Sequence, residues 1–282
     1  MRSEEIYLYR PYLFTIAYDM LGEVEAAEDV VQDTFIKWLQ TDTSHVYQVK
    51  AYLTRMVINT SIDKLNLLKK ERELYKGLWM PEPILTDEKQ QDEHTVEYAL
   101  LFLLERLNPV ERAVFVLKEV LAVAYHEIAA MLDLTEDNCR QLFHRAKEKV
   151  RAPKKKQEAD IKKHAELTEA FLQAVYVNDY KKLQDIFLND IVMYQDGGGK
   201  MAAALKPLHG IDKVIKFLHG VMGLEPDAQF RIEPVHINSS LGILIYRNNQ
   251  LDTVFTLEVE NDKISELFFL RNPDKINRKN IF

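Results

Sequence analysis

The 282-residue sequence predicts a multi-domain chain, all-α in its N-terminal half and α+β in its C-terminal part. Three observations carry this. Apolar residues recur at helical spacing from residue 4 to about 74 and again from about 93 to 150, with no strand-like alternation. The intervening GLWMPEPILTDEKQQDEH cannot sustain a helix through Pro81 and Pro83 and reads as a linker. Near the end, the strand-type runs QFRIEPVHI, LGILIYR, DTVFTLEVE and KISELFFL follow one another across NNQ and ND turn signals. Helices followed by a meander of antiparallel strands make an α+β layout.

Taken in order, AEDVVQDTFIKWL places Val31, Phe35 and Trp38 on one helical stripe, with Glu28, Asp29, Gln32, Asp33 and Lys37 on the rest. AYLTRMVINTSIDKLNLLKKER sets Leu53, Val57, Ile58, Ile62 and Leu65 on a similar stripe and carries a basic cluster of Lys64, Lys69, Lys70 and Arg72. After the linker, helices run to Val150, and RAPKKKQEADIKKH (151–164), with six Lys or Arg against two acids, marks a second boundary. Helices are expected at about 160–178, 179–188 and 211–222, with the apolar IVMY and a DGGGK turn between the last two.

Composition narrows the class. At 47% hydrophobic and 29% charged, the chain is ordinary for a soluble protein with a core. No window holds the ~18 uninterrupted apolar residues of a membrane helix, and the N-terminus lacks the order of a secretion signal. Cys139 is the single cysteine, so no disulfide can form within the chain, and the eight histidines show no metal-ligand spacing. The expectation is a cytoplasmic protein with no metal, no cofactor and no membrane partner. A net charge of −7 argues against promiscuous nucleic-acid binding.

The strongest chemical signal is YHEIAAMLDLTEDNCRQLFHRAKEKV. Its first helix is expected to bury Ile128, Ala129 and Leu132, with Asp133 at the turn and Thr135 as the N-cap of the next helix. There Cys139, Phe143, Ala146 and Val150 form the expected buried stripe, opposite Asn138, Arg140, Gln141, His144 and Arg145. An apolar back with amide and guanidinium groups in front is the layout of a helix-turn-helix reading the major groove. An ordinary helix pair with a solvated polar face fits the same residues.

Two blocks, in order along the chain, favour the DNA-reading layout. RPYLFTIAYDMLGEVEAAEDVVQDTFIKWL with AYLTRMVINTSIDKL resembles region 2, and LNPVERAVFVLKEVLAVAYHEIAAML with NCRQLFHRAKEKV resembles region 4, of the extracytoplasmic-function sigma factors of bacterial RNA polymerase. The resemblance implies region 2 at 1–75, a Pro/acidic linker at 76–95, region 4 at 96–152, a basic linker at 153–164 and a further domain at 165–282. It implies that Asp29, Gln32, Asp33 and Lys37 dock on the clamp helices of the polymerase's largest subunit. Arg55, Asn59, Asp63 and Lys64 then recognise the minus-ten element, with Lys69, Lys70 and Arg72 on its backbone. Asn138, Arg140, Gln141, His144 and Arg145 read the minus-thirty-five element. Two departures stand out: Asp133 where a glycine is usual, and Leu142 where relatives often carry a groove-facing arginine.

The C-terminal 118 residues or so (165–282) resemble the SnoaL-like, nuclear-transport-factor-like cone. Some such cones use an aspartate and a histidine as acid and base. Asp196 and His209 are the candidates, although a solvated turn aspartate is the better reading. The strands offer mainly apolar residues, Phe230, Ile232, Val235, Ile237, Phe255, Leu257 and Phe269, which fits a ligand sensor or a plain core better than acid–base catalysis. DGGGK lacks the spacing and the following hydroxyl of a phosphate loop, since Met201 follows Lys200. WMPEP (79–83), DGGGK (196–200) and NPDKI (272–276) together resemble the motifs of sigma factors whose fused domain regulates them. That implies a regulatory contact of the C-terminal domain with region 2 and the linker, through Trp79, Met80, Pro81, Asp196, Gly197, Gly198, Gly199, Lys200, Asn272, Pro273, Asp274 and Lys275. The alternatives are a helix-turn-helix regulator with a small-molecule-sensing cone, or a cyclase- or isomerase-type enzyme tethered to a DNA-binding module.

Overall fold

The computed structural model describes residues 5–86, 96–150, 158–224 and 229–276. The acidic half of the expected linker (87–95) and the first half of the basic stretch (151–157) lie outside the described residues. Contacts divide the chain into two units: the helices up to Leu74 with those between 98 and 150, and residues 75–86 with those from 158 onward.

The first unit is helical throughout. After a 3-10 turn at Glu5–Tyr9 come α1 (Arg10–Leu21), α2 (Val24–Gln40) and α3 (Val49–Glu73). Val31, Phe35 and Trp38 are buried, as are Leu53, Val57, Ile58 and Leu65, so the stripes read from the sequence face the core. Ile62 is only half-buried, and Thr54, Ser61 and Leu68 complete that face. Region 4's helices are α4 (Tyr98–Leu104), α5 (Pro109–Phe115), α6 (Tyr125–Leu132) and α7 (Glu136–Val150). Asn108 and Glu111 close a capping box around Pro109 at the start of α5, satisfying free backbone donors there. A π segment (Val116–Val120) follows α5 directly.

The second unit begins with α8 (Glu158–Tyr176) and α9 (Tyr180–Ile186) and continues through β1 (Phe187–Asp196), β2 (Leu208–His209) and α10 (Ile211–Leu224). Then come β3 (Phe230–Ile237), β4 (Ser240–Arg247), β5 (Gln250–Glu260), β6 (Lys263–Leu270) and α11 (Pro273–Ile276). The six-stranded sheet runs in the order β2-β1-β6-β5-β4-β3. β3 to β6 form the expected meander, but β1 joins β6 in parallel, which makes the sheet mixed.

The core of this unit is Leu167, Phe171 and Ala174 of α8, Leu183 and Ile186 of α9, and Val214 and Leu218 of α10, packed on β1, β4, β5 and β6. Phe171 stacks on Phe255 with centroids 5.1 Å apart, and each such buried side chain contributes ~2 kcal/mol. Two of the strand residues expected in an apolar lining or core are exposed instead. Phe230 and Ile232 are 48% and 44% exposed, because β3 is the edge strand. Among the described residues no helix is long and apolar enough to cross a membrane. No group of three or more metal-ligating side chains gathers among them.

Candidate nucleic-acid interface and linker clasp

In region 4, α6 ends at Asp133 with φ 54° and ψ 50°, so an aspartate takes the left-handed turn usually given to glycine. Thr135 Oγ1 accepts from the Asn138 amide at 3.2 Å and caps α7, as its sequence position predicts. The buried back of α7 is Cys139, Leu142, Ala146 and Val150. Leu142 therefore points into the core, not into the groove. Phe143 is only half-buried, held between the rings of Phe115 and Tyr125. Leu132 of α6 is likewise half-buried.

The opposite face carries Arg140, Gln141, His144 and Arg145, all exposed, with Asn138 half-buried beside them. Arg140 is pre-set by Glu136 at 3.2 Å and by the Tyr125 ring 4.4 Å away. Lys147 and Lys149 turn back onto Glu119 and Glu111. Amide, imidazole and guanidinium groups on one rigid face, with the apolar back fixed, are what base-edge and phosphate recognition requires.

Region 2 presents a groove of about 330 Å³ between α2 and α3. Asp29, Gln32, Asp33 and Lys37 line it from α2, and Thr60, Asp63, Lys64 and Leu67 from α3. Lys64 meets Asp29 at 3.5 Å and Lys37 donates to Thr60 at 3.3 Å. These are exposed pairs worth at most ~1 kcal/mol, so a partner can exchange them cheaply. The groove thus joins the residues expected on the polymerase to two expected on minus-ten DNA. Arg55, Lys69 and Lys70 are exposed on α3.

Two other minus-ten candidates are engaged inside the unit. The Asn59 amide nitrogen donates to the Met131 carbonyl of region 4 at 3.4 Å. Arg72 is 12% exposed and donates to the Leu21 carbonyl at 2.6 Å, to Glu23 at 2.8 Å and to Glu105. It does not stand with Lys69 and Lys70 as a backbone contact; three acceptors around the end of α3 draw it inward. Glu105 also meets Arg112, which is 1% exposed and donates to the Asp19 carbonyl at 2.9 Å. Burial pulls the Arg112 guanidinium below its ordinary pKa, against the pull of Glu105. Glu105 and Arg112 gave no periodic or motif signal, since what matters is their partner in the other region.

The second unit draws its three motifs together. Asp196, at the end of β1, is 1% exposed, so it is not the solvated turn aspartate the sequence favoured. Its Oδ1 accepts from the Tyr75 hydroxyl at 2.5 Å and the Gly198 amide at 2.9 Å. Its Oδ2 accepts from the Met80 amide at 3.0 Å and Lys275 Nζ at 2.7 Å. Lys275 also donates to the Met80 carbonyl at 2.5 Å and lies 4.2 Å over the Trp79 ring and 4.9 Å over that of Tyr75.

Asn272 donates to the Tyr75 hydroxyl at 2.8 Å, while Lys200 pairs with Asp274 at the exposed rim at 2.5 Å. Pro273 opens α11, whose turn delivers Lys275. Burial, and then the hydrogen bond and charge of Asp196, hold the Tyr75 phenol well above its ordinary pKa. Gly198 has φ 63°, and a Cβ there would sit 2.4 Å from Asn272 Cγ; Gly199 has φ 69° against Lys76, while Gly197 is not left-handed.

The linker is held at a second point. Leu85 bridges Ile237, the Thr86 amide donates to the His236 carbonyl at 3.0 Å, and the Asn238 amide donates to the Ile84 carbonyl at 2.9 Å. Between the two points Met80, Pro81, Glu82 and Pro83 are buried. WMPEP is therefore part of the second unit's packed structure. Both oxygens of Asp196 are engaged in this clasp, and His209 is exposed. The residues sequence reasoning missed are Tyr75 and Asn238; neither carries a pattern that announces a partner over a hundred residues away.

A helical pair with an exposed docking groove, followed by a helix-turn-helix, is the domain set of an RNA polymerase sigma factor. Residues 6–71 match the sigma-70 region 2 family and residues 98–150 the sigma-70 region 4 family. Over nearly its whole length the chain is similar to extracytoplasmic-function sigma factors. It is 29% identical to the RNA polymerase sigma factor SigJ of Mycobacterium tuberculosis, over 98% of this chain and 93% of that protein. It is 25% identical to the probable sigma factor SigI of the same organism, over 95% of this chain and 92% of that protein. The crystal structure of SigJ covers 99% of both chains at 27% identity with a TM-score of 0.78. The likeness therefore includes the α+β unit as well as the helices.

Proposed function

We propose that this chain binds core RNA polymerase in the cytoplasm and directs promoter-specific transcription initiation, and that its C-terminal unit regulates it in cis by holding the linker between regions 2 and 4. Region 2 engages the polymerase clamp through the α2 face and the minus-ten element through α3. Region 4 engages the minus-thirty-five element through α7. The observation that carries the regulatory reading is the Asp196 clasp: one buried carboxylate collects hydrogen bonds from the linker (Tyr75, Met80), its own turn (Gly198) and the C-terminal motif (Lys275). A buried, fully partnered ion pair with residues from both sides is a strong hold on a proline-rich segment. A linker held in this way restrains the chain that must move when the two regions engage separate promoter elements.

The C-terminal unit acts without catalysis in this reading, because the carboxylate best placed for acid–base work is occupied four times over. Domain boundaries follow the resemblance: 1–75, 96–152 and 165–282, with the segment 76–95 working as part of the clasp. The test is reconstituted transcription from genomic promoter fragments with core polymerase, comparing the natural chain with Lys275→Met. Promoter-dependent initiation by the natural chain, and a change of severalfold in the variant, are expected. Absence of initiation on every fragment would overturn the sigma reading, and equal activity of the two proteins would overturn the regulatory one.

A further inference from the structure

We infer that Arg271 and Asp252, which none of the three motifs contains, are positioning residues of the clasp: joined, they set its two arms side by side, so that Lys275 meets Asp196. The inference rests on the clasp as the regulatory hold and names what keeps it in register. Two observations carry it.

The first is where the arms begin. β1 and β6 run parallel with Asp196 opposite Leu270, so the DGGGK arm and the NPDKI arm leave the same end of the sheet. Parallel order alone does not fix two loops against each other. Arg271 is the first residue past β6, and its amide donates to the Asp196 carbonyl at 2.7 Å, one step beyond the strand pair. Lys275 follows in the single turn that Pro273 opens. Any shift of Arg271 is therefore passed on to the ammonium that neutralises Asp196.

The second is what the Arg271 side chain holds. Its Nε and Nη2 donate to the two oxygens of Asp252 at 3.1 and 3.0 Å, a bidentate fork, and its Nη1 donates to the Ala202 carbonyl at 2.8 Å. Ala202 lies just past DGGGK, whose turn is closed by the Met201 amide on the Gly197 carbonyl at 2.9 Å. One guanidinium thus joins β5, the start of the NPDKI arm and the end of the DGGGK arm. Asp252 is itself fixed by the Thr253 hydroxyl at 2.7 Å and by Arg247 at 2.9 Å, with its side chain 10% exposed. Burial acts to raise the Asp252 pKa, but hydrogen bonds from Arg271 and Thr253 and the charge of both arginines hold it below its ordinary value. The anchor therefore stays ionised. A lysine at 271 would keep the charge, but one ammonium cannot span both carboxylate oxygens and the carbonyl beyond them.

Asp252→Asn removes the charge at constant shape and turns an amide N–H toward the guanidinium, while Arg271→Lys keeps the charge and removes the fork. Ile264→Ala, in the core near the other end of β6, is the control for a general loss of stability. Hydrogen exchange of the full chain, followed by mass spectrometry, would be compared in residues 75–80, residues 196–204 and α8. The Met80 and Gly198 amides, both donating to Asp196, lie in the first two segments. Both fork variants should speed exchange about tenfold in the two clasp segments, as loss of one charge-assisted hydrogen bond does, and less than about threefold in α8. Ile264→Ala should speed α8 at least as much as the clasp. Natural rates at 75–80 in a fork variant, or a rise there no larger than in α8, would overturn the inference. If Asp252→Asn does not fold, Arg271→Lys decides alone. Transcription by the same proteins separates this inference from the regulatory reading. An opened clasp with natural transcription, in the fork variants and in Lys275→Met alike, would support the positioning role and overturn regulation by the clasp.

Discussion

Replacing Lys275 by methionine should cost the second unit ~3–5 kcal/mol, whereas pairing it with Asp196→Asn should recover at least ~2 kcal/mol of that loss. The magnitude follows from burial. Lys275 and Asp196 side chains are 6% and 0% exposed, and the ammonium makes two hydrogen bonds and sits over two rings. Without it, the carboxylate is left with neutral donors only, in a place water does not reach. An asparagine in that place still accepts from Tyr75 or Gly198 and carries no charge to strand. The assay is urea unfolding of the full chain in a Trp38→Phe background, so that Trp79, which lies in the clasp, is the sole tryptophan reporter. With a slope of ~2 kcal/mol per molar, Lys275→Met should lower the midpoint of the Trp79 transition by ~1.5–2.5 M. A loss below ~1 kcal/mol with no coupling between the two sites would refute the view that this pair holds the linker.

Further outcomes follow from the same geometry. Gly198→Val, with a positive φ and a Cβ 2.4 Å from Asn272, should open the clasp and cost ~2 kcal/mol or more, lowering the same midpoint by ~1 M or more. Gly220→Ala, in helix α10 with nothing within 4 Å, should be neutral or stabilising by up to ~1 kcal/mol. The Tyr75 pKa is raised on folding, so its contribution is fully present below the free phenol's value of ~10 and is lost as pH climbs above it. The urea midpoint should therefore fall more steeply between pH 9 and 11 in the natural chain than in Tyr75→Phe. Leu142→Arg should not add a groove contact; it should destabilise the helical unit by ~2–4 kcal/mol in thermal unfolding, because the side chain faces the core. Gln141→Ala should cost ~1–3 kcal/mol of discrimination in promoter footprints at the minus-thirty-five element, with little effect on binding to core polymerase.

Helix stripes were legible in the sequence because burial on a helix has a period, and Val31, Phe35, Trp38, Leu53 and Val57 obey it. The slip on α7 has a local cause. Positions three and four residues on share a face, and Cys139 is followed at those offsets by Leu142 and Phe143, both apolar. The larger ring read as the core residue, yet it lies at the margin between two other rings while the leucine fills the interior. The sheet's one parallel pairing was illegible for a different reason: β1 and β6 are separated by a helix and four strands, and alternation in a strand does not name its neighbour.

The clasp and the buried charges around Glu105 show what sets that limit for charged residues. Asp196, Arg72 and Lys275 all looked like surface groups, because charge within a local window predicts exposure. Each is buried because a complementary group arrives from far along the chain: Tyr75 at 121 residues from Asp196, Glu105 at 33 from Arg72, Met80 at 195 from Lys275. Motifs flagged the clasp only because three short signatures occurred together, and nothing of the kind marked Glu105. Both buried charge clusters lie at joints between parts of the chain, one on the linker and one between the two helical regions. A purely apolar joint at either place would hold as well without discriminating between partners. A charged one is most readily released where new counter-charges are supplied.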